Sequence, residues 1–222
     1  MLFIYIFRET FDLCIENFDQ VILWLSILMI FGTIITSACL SSFAPTLYYE
    51  VKSGKKENCV IYFSIFDLQL PYKSRMFNEI ILKINPKTQK IITKSLKMDN
   101  IFMPFAYTSI FLLITHFYLL SREYNSAIFP MFPFLQYALI LPFIAYLCDI
   151  GENHLTKKLI YRVQKLQAEE VGHIDERLEI ENSLNRLINH SKLKIYAASS
   201  IKWITVIYCI LVIFCSFFLQ FF

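Results

Sequence analysis

The last twenty residues of the chain, 203–222, read WITVIYCILVIFCSFFLQFF and contain no charged side chain. A helix needs about 20 consecutive apolar residues to cross a hydrocarbon core roughly 30 Å thick. Three more charge-free windows precede this one, at 20–49, 100–121 and 124–148. Because lipid offers no partner for free backbone N–H and C=O groups, each window is predicted to be helical. The predicted membrane spans are about 21–43, 101–120, 131–149 and 203–221.

Composition points to the same class of protein. Of the 222 residues, 56% are apolar and 18% are charged, and the mean hydropathy is +0.50. Soluble domains carry roughly a quarter of charged residues, so this chain has too few for a soluble globule and too many apolar residues for disorder. The predicted fold class is all-α, a four-transmembrane-helix integral membrane bundle in which residues 1–222 form a single membrane domain.

Charge placement predicts the topology. Residues 44–97 carry ten Lys or Arg against four Asp or Glu, and residues 150–195 carry eight against seven. Residues 1–20 carry one Arg against four acidic residues, and 121–133 carry one charge of each sign. Positive charge accumulates on the cytoplasmic side of membrane proteins. We therefore expect connections one and three to be cytoplasmic and both termini to lie on the opposite side.

The two basic connections have different patterns. In the first, at 44–97, Cys59–Phe66 is aromatic and β-branched, as is typical of an extended segment. It is followed by an amphipathic helix over 73–84, which Asn85-Pro86 ends. In the third, at 150–195, apolar residues recur at helical spacing on both sides of Gly172. This predicts an amphipathic helical hairpin between spans three and four, with residues 155–190 available to a protein partner.

Ionisable residues gather at the predicted ends of three spans. Asp99 begins span two, Asp149 and Glu152 end span three, and Lys202 begins span four. Asp149, Glu152 and Asn153 share one helix face because they are three and four residues apart. The predicted topology puts all of them at the cytoplasmic interface. The candidate interfacial polar cluster is Asp99, Tyr107, Asp149, Glu152, Asn153 and Lys202.

Two interpretations of this cluster stay open. Acidic groups near lipid can bind a cation, relay a proton or act as acid and base. Paired ions can equally lock helices together as a purely structural element. His116, in the middle of span two, is more typical of a hydrogen bond to a neighbouring helix than of a ligand. The chain lacks the spacing of known metal, phosphate-loop or hydrolase motifs, so no metal, cofactor or nucleic acid is predicted.

A resemblance rests on several short motifs, which are Phe66-Asp67-Leu68 with Tyr72, Asp99-Asn100 with Pro104 and Tyr107, Asp149-Ile150-Gly151-Glu152-Asn153, and Lys202-Trp203. Together they resemble small four-span bacterial membrane proteins that have an Asp-x-x-Glu-Asn motif closing the third span. The resemblance covers about residues 60–215 and implies no reaction. It adds Asp67 and Tyr72 as secondary candidates beside His116, and the acidic hairpin of this chain is longer than in the group.

Three functions are compatible with these patterns. The first is a non-enzymatic accessory or structural subunit of a membrane assembly, with the bilayer and a docked protein as partners. The second is a membrane-interface enzyme acting on lipid or isoprenoid-phosphate headgroups. The third is a small cation or proton transporter, which would need to oligomerise because four spans make a thin pore. The sequence favours the first and leans against an enzyme, because no catalytic motif is present.

Overall fold

The computed structural model describes residues 2–43, 47–51, 59–69, 74–122, 127–170 and 177–221. This part of the chain is overwhelmingly helical and contains one antiparallel pair of strands. The helical class predicted from sequence is therefore confirmed. In chain order the elements are α1 (Leu2–Phe43), β1 (Leu47–Val51), β2 (Cys59–Phe63), α2 (Ile65–Gln69), α3 (Ser74–Lys83), α4 (Pro86–Ser121), a 3₁₀ turn (Phe129–Met131), α5 (Phe132–Ala138), α6 (Leu141–Glu170) and α7 (Arg177–Phe221).

Four helical segments of the described chain are long and apolar enough to cross a membrane, as predicted. They are Phe18–Ser41, Pro86–Ser121, Phe129–Ala168 and Asn182–Gln220. Three of them extend beyond the charge-free windows by more than ten residues, because no proline separates span from connection. As a result, the arms of the predicted hairpin at 150–195 are direct continuations of the apolar helices. The residues that join the arms, 171–176, lie outside the described residues.

The first of two compact units comprises Met1–Thr36, Phe102–Tyr146 and Ile204–Phe222. Its buried apolar core is formed by Ile114, Phe117, Ile128, Leu135, Ala138, Cys209 and Val212. Helices α1 and α4 approach closely at Gly32, where an added Cβ would lie 2.5 Å from Cδ1 of Phe105. A small residue is therefore needed at this point of the helix contact.

The second unit comprises Ser37–Ile101 and Leu147–Trp203. It contains both basic connections, 44–97 and 150–195. Its core joins the small sheet, α3 and the polar arms of α4, α6 and α7, through residues such as Tyr49, Phe77, Ile92, Val163 and Ile188. The sheet is attached to α3, because the Tyr49 hydroxyl lies 3.3 Å from Oε2 of Glu79.

The two strands are an exception to the predicted all-α class. Strand β1 pairs antiparallel with β2, with Leu47 opposite Phe63 and Tyr49 opposite Ile61. The extended segment expected at 59–66 is present over Cys59–Phe63 and ends where α2 begins. Strand β1 was missed because its Leu-Tyr-Tyr run closes the charge-free window at 20–49. Burial of Leu47 and Tyr49 with Tyr48 only half-buried shows the two-residue period of a strand.

The packing at Gly32 generates a prediction. Replacing Gly by Ala in a helix usually stabilises it, by about 0.5–1 kcal/mol. Gly151 of α6 has no atom within 4 Å of an added Cβ, so Gly151→Ala should raise the melting temperature in detergent. Gly32→Ala should lower it, because the new methyl overlaps the Phe105 ring. Phe105→Leu in the Gly32→Ala background should recover part of the loss; equal melting of both Ala variants would contradict this packing.

Candidate functional site

A buried ion pair network joins α6 to α7 in the second unit. The Lys202 ammonium donates to Oδ1 of Asp149 at 3.0 Å and lies 2.7 Å from Oε2 of Glu152. Glu152 is completely buried, and Lys202 and Asp149 are 4% and 7% exposed. The three-residue spacing of the acids puts both carboxylates on the α6 face that α7 covers. One ammonium is therefore shared by two carboxylates away from solvent.

Helix α4 joins this network through an amide. The side-chain nitrogen of Asn153 donates to Oδ2 of Asp99 at 2.8 Å and to Oδ1 of Asn100 at 3.2 Å. Asn153 follows Glu152 directly and is 1% exposed. The structure thus brings five of the six predicted residues into one unit, and we call Asp99, Asp149, Glu152, Asn153 and Lys202 the polar cluster.

Charge within the polar cluster is unbalanced. It contains three carboxyl groups and one ammonium, and the ammonium of Lys157 adds a second positive charge that acts on Asp99. Lys157 also donates to the carbonyl of Leu96, at 3.4 Å. Coulomb interactions are strong where water is excluded, and an uncompensated buried charge is costly. The single ammonium of Lys202 is therefore strongly attracted to both Asp149 and Glu152.

Sequence reasoning missed a layer of hydroxyl groups next to the cluster. Ser95, Thr156 and Ser199 are 0%, 2% and 0% exposed. Each lies three or four residues from a cluster member on its own helix, so each shares that member's face. This spacing was the available signal, but serine and threonine at the end of an apolar helix are too common to stand out.

Tyr107 falls in the first unit, where it faces Tyr146 with ring centroids 5.9 Å apart. Both tyrosines line a cavity of about 270 Å³. The other lining residues are Pro104, Thr108, Phe111, Pro142 and Phe143. The cavity is thus lined mostly by aromatic side chains and prolines, and three hydroxyl groups are present in its wall.

The secondary candidates have separate locations. Asp67 accepts hydrogen bonds from the backbone N–H and the hydroxyl of Ser64, at 2.7 and 3.0 Å, which caps the start of α2. Tyr72 lies outside the described residues. Nδ1 of His116 lies 2.5 Å from Oδ1 of Asp19, which joins α4 to α1 in the first unit. Asp19 was not a candidate, although it directly precedes the first charge-free window.

The described residues contain no group of three His, Cys, Asp or Glu side chains placed to hold a metal ion. Comparison of the chain with protein-family models, curated proteins and solved structures found no match. Function is therefore inferred from the geometry of the site.

The ion pair network yields a stability prediction. Lys202→Met leaves Asp149 and Glu152 buried side by side without their ammonium, which should destabilise the protein by about 3 kcal/mol or more. Adding Asp149→Asn should restore part of the loss, because one of the two opposed carboxylates is then neutral. Thermal melting of the purified protein in detergent measures both effects.

The matched control is Lys90→Met, which makes the same chemical change at an exposed position of α4. It should alter stability by no more than about 0.5 kcal/mol. If Lys202→Met melts like Lys90→Met, the network does not hold α6 and α7 together.

Proposed function

We propose that this chain is a multi-pass integral membrane protein with a non-catalytic role, as an accessory or structural subunit of a membrane assembly. The observation that carries the proposal is the ion pair network within the polar cluster, in which Lys202 is held by two carboxylates and all three side chains are buried. The resemblance to small four-span bacterial membrane proteins is part of this proposal.

Exposed apolar surface supports membrane integration. Only 11–28% of each apolar window is buried inside the described structure. Large side chains such as Trp24, Ile204 and Phe214 are about two-thirds exposed, at 67%, 67% and 65%. Monomeric soluble proteins rarely expose contiguous apolar areas of this extent. Acyl chains are the natural cover for such a surface, because they demand no hydrogen bonds from it.

The burial of the polar cluster favours a lock over an active site. An acid or base that acts on a headgroup must reach its substrate. Glu152 has no exposed surface, and neither the aromatic cavity described above nor the groove described below is lined by a cluster member. Buried ion pairs have their best-attested use in fixing the register of neighbouring helices. The cluster would therefore set the positions of α4, α6 and α7 relative to one another within the second unit.

A basic groove within residues 155–190 is the proposed docking surface. Its volume is about 540 Å³, and it is lined by Lys158, Tyr161, Arg162, Lys165, Leu166 and Leu187. Tyr161 is 67% exposed, and the two leucines give the groove an apolar floor. Aromatic and Arg side chains are typical of interface centres, and the positive charges of Lys158 and Arg162 select an opposite charge. The partner that fits is an acidic amphipathic protein segment.

Membrane topology can be tested with single cysteines in a background whose six native cysteines are alanine. We propose that connections one and three are cytoplasmic and both termini opposite, because basic residues gather in those connections. Lys90→Cys and His190→Cys should then react with an impermeant maleimide only after cells are permeabilised. Gln220→Cys should react in intact cells. Labelling of positions 90 and 190 from opposite sides would contradict four spans.

Docking can be tested with a zero-length carbodiimide, which couples lysine ammonium groups to contacting carboxylates. In native membranes, Lys158 should become linked to an acidic peptide of one partner, identified by mass spectrometry. Lys158→Glu with Arg162→Glu should abolish the adduct and reduce the native mass of the gently extracted protein, because the charges then repel. The control pair is Lys87→Glu with Lys90→Glu, two exposed cations of α4.

Two results would overturn the docking proposal. One is an unchanged native mass in the groove variant. The other is a groove variant that no longer binds anionic lipid vesicles, together with a native protein that forms no protein adduct. That result would assign the groove to lipid headgroups instead.

A further inference from the structure

Several buried side-chain oxygen atoms of the second unit have no hydrogen-bond partner within the described structure. Those next to the ion pairs are Oε1 of Glu152, the Asn153 amide oxygen and the hydroxyls of Ser95 and Thr156. None of these four side chains is more than 2% exposed. Leaving such groups buried without a partner costs free energy, commonly about 1–3 kcal/mol each. Several unpartnered oxygen atoms in one region indicate that a ligand binds there.

Contacts between α4 and α6 place several of these atoms at one level. Asn153 contacts Asp99, Lys157 contacts the carbonyl of Leu96, and the side chains of Gln164 and Gln89 are hydrogen-bonded. As residue numbers rise along α6 they fall along α4, so the two helices are antiparallel. Ser95, one turn before Asp99, therefore lies level with Thr156, one turn after Glu152 and Asn153.

Helix α7 completes the arrangement. Ser199 is placed to interact with the Glu152 carboxylate, and Lys202, one turn later, contacts both Glu152 and Asp149. Ser199 thus faces the side of Glu152 that is nearer to Thr156. Polar side chains of α4, α6 and α7 therefore lie within about one helical turn of the ion pairs.

The chemistry of these oxygens selects the ligand. Carboxylate, amide and hydroxyl oxygens suit hard cations. No three acidic, His or Cys side chains of the described chain are grouped to hold a metal ion, which disfavours a divalent metal. Asp149 and Glu152 share the single ammonium of Lys202, so a monovalent cation beside Glu152 would balance the second carboxylate. A proton on one carboxylate would satisfy a single oxygen, whereas a metal cation contacts several at once.

We propose that this layer binds one Na⁺, held by Glu152, Asn153, Thr156 and Ser199, with Ser95 closing the site from α4. The cation would stabilise the lock between α4, α6 and α7. The inference rests on the structural role proposed for the polar cluster and adds a ligand to it.

The test is thermal melting of the purified full-length protein in detergent, in NaCl or in choline chloride at one ionic strength. The melting temperature should rise with NaCl and saturate. Thr156→Val and Ser199→Ala should each weaken Na⁺ binding. The Na⁺ concentration that gives half of the maximal increase in melting temperature should then be about ten-fold higher or more. Thr156→Ser keeps the hydroxyl and should keep the response, which separates ligand loss from a folding defect.

Ser216→Ala is the matched control, because Ser216 is fully buried in α7 and its hydroxyl is satisfied by the carbonyl of Val212 at 2.8 Å. It should keep the full Na⁺ response. Equal melting in NaCl and choline chloride would overturn the proposal, as would a response to pH alone or a Ser199→Ala variant that responds like the control. Lys202→Met tests the lock itself, so a failed lock and a missing cation give different results.

Discussion

The structure of the second unit depends on one buried ammonium. Lys202 begins the last apolar stretch of the chain, yet it has almost no access to solvent and contacts both Asp149 and Glu152. A lysine in such surroundings is tolerated only with partners of opposite charge and good geometry. Because those partners come from one face of α6, the requirement fixes how α6 and α7 meet. Asn153 then extends the same constraint to Asp99 of α4.

Much of this arrangement could be predicted from the sequence. The apolar helices were predicted from charge-free windows. Each window, as a helix, is long enough to cross the hydrocarbon core. Asp149, Glu152 and Asn153 stood out because they are helically spaced at the end of such a window. Lys202 stood out because it directly precedes the last one. Charged side chains near lipid are few because placing them there costs free energy. Each one therefore indicates where a neighbouring helix must supply a partner.

Other features were not accessible to the same reasoning. Hydroxyl groups such as Ser199 are common in apolar helices, and their burial depends on which helix covers them. The pairing of Asp19 with His116 depends on how α1 packs against α4, which the spacing of residues within a single helix does not reveal. Tyr107 shares a helix face with Asp99, but an edge-to-face contact with Tyr146 and an aromatic cavity explain its position in the first unit. Strand β1 was hidden because its residues are as apolar as the helix before it.

The most direct test of the account is a dipolar coupling measured by solid-state NMR on protein reconstituted in lipid bilayers. With ¹⁵N in lysine side chains and ¹³C in carboxyl groups, the Lys202 ammonium should couple to two side-chain carboxyl carbons at contact distance, and the signal should disappear in Lys202→Met. An ammonium without carboxyl couplings, exchanging freely with water, would contradict the central claim.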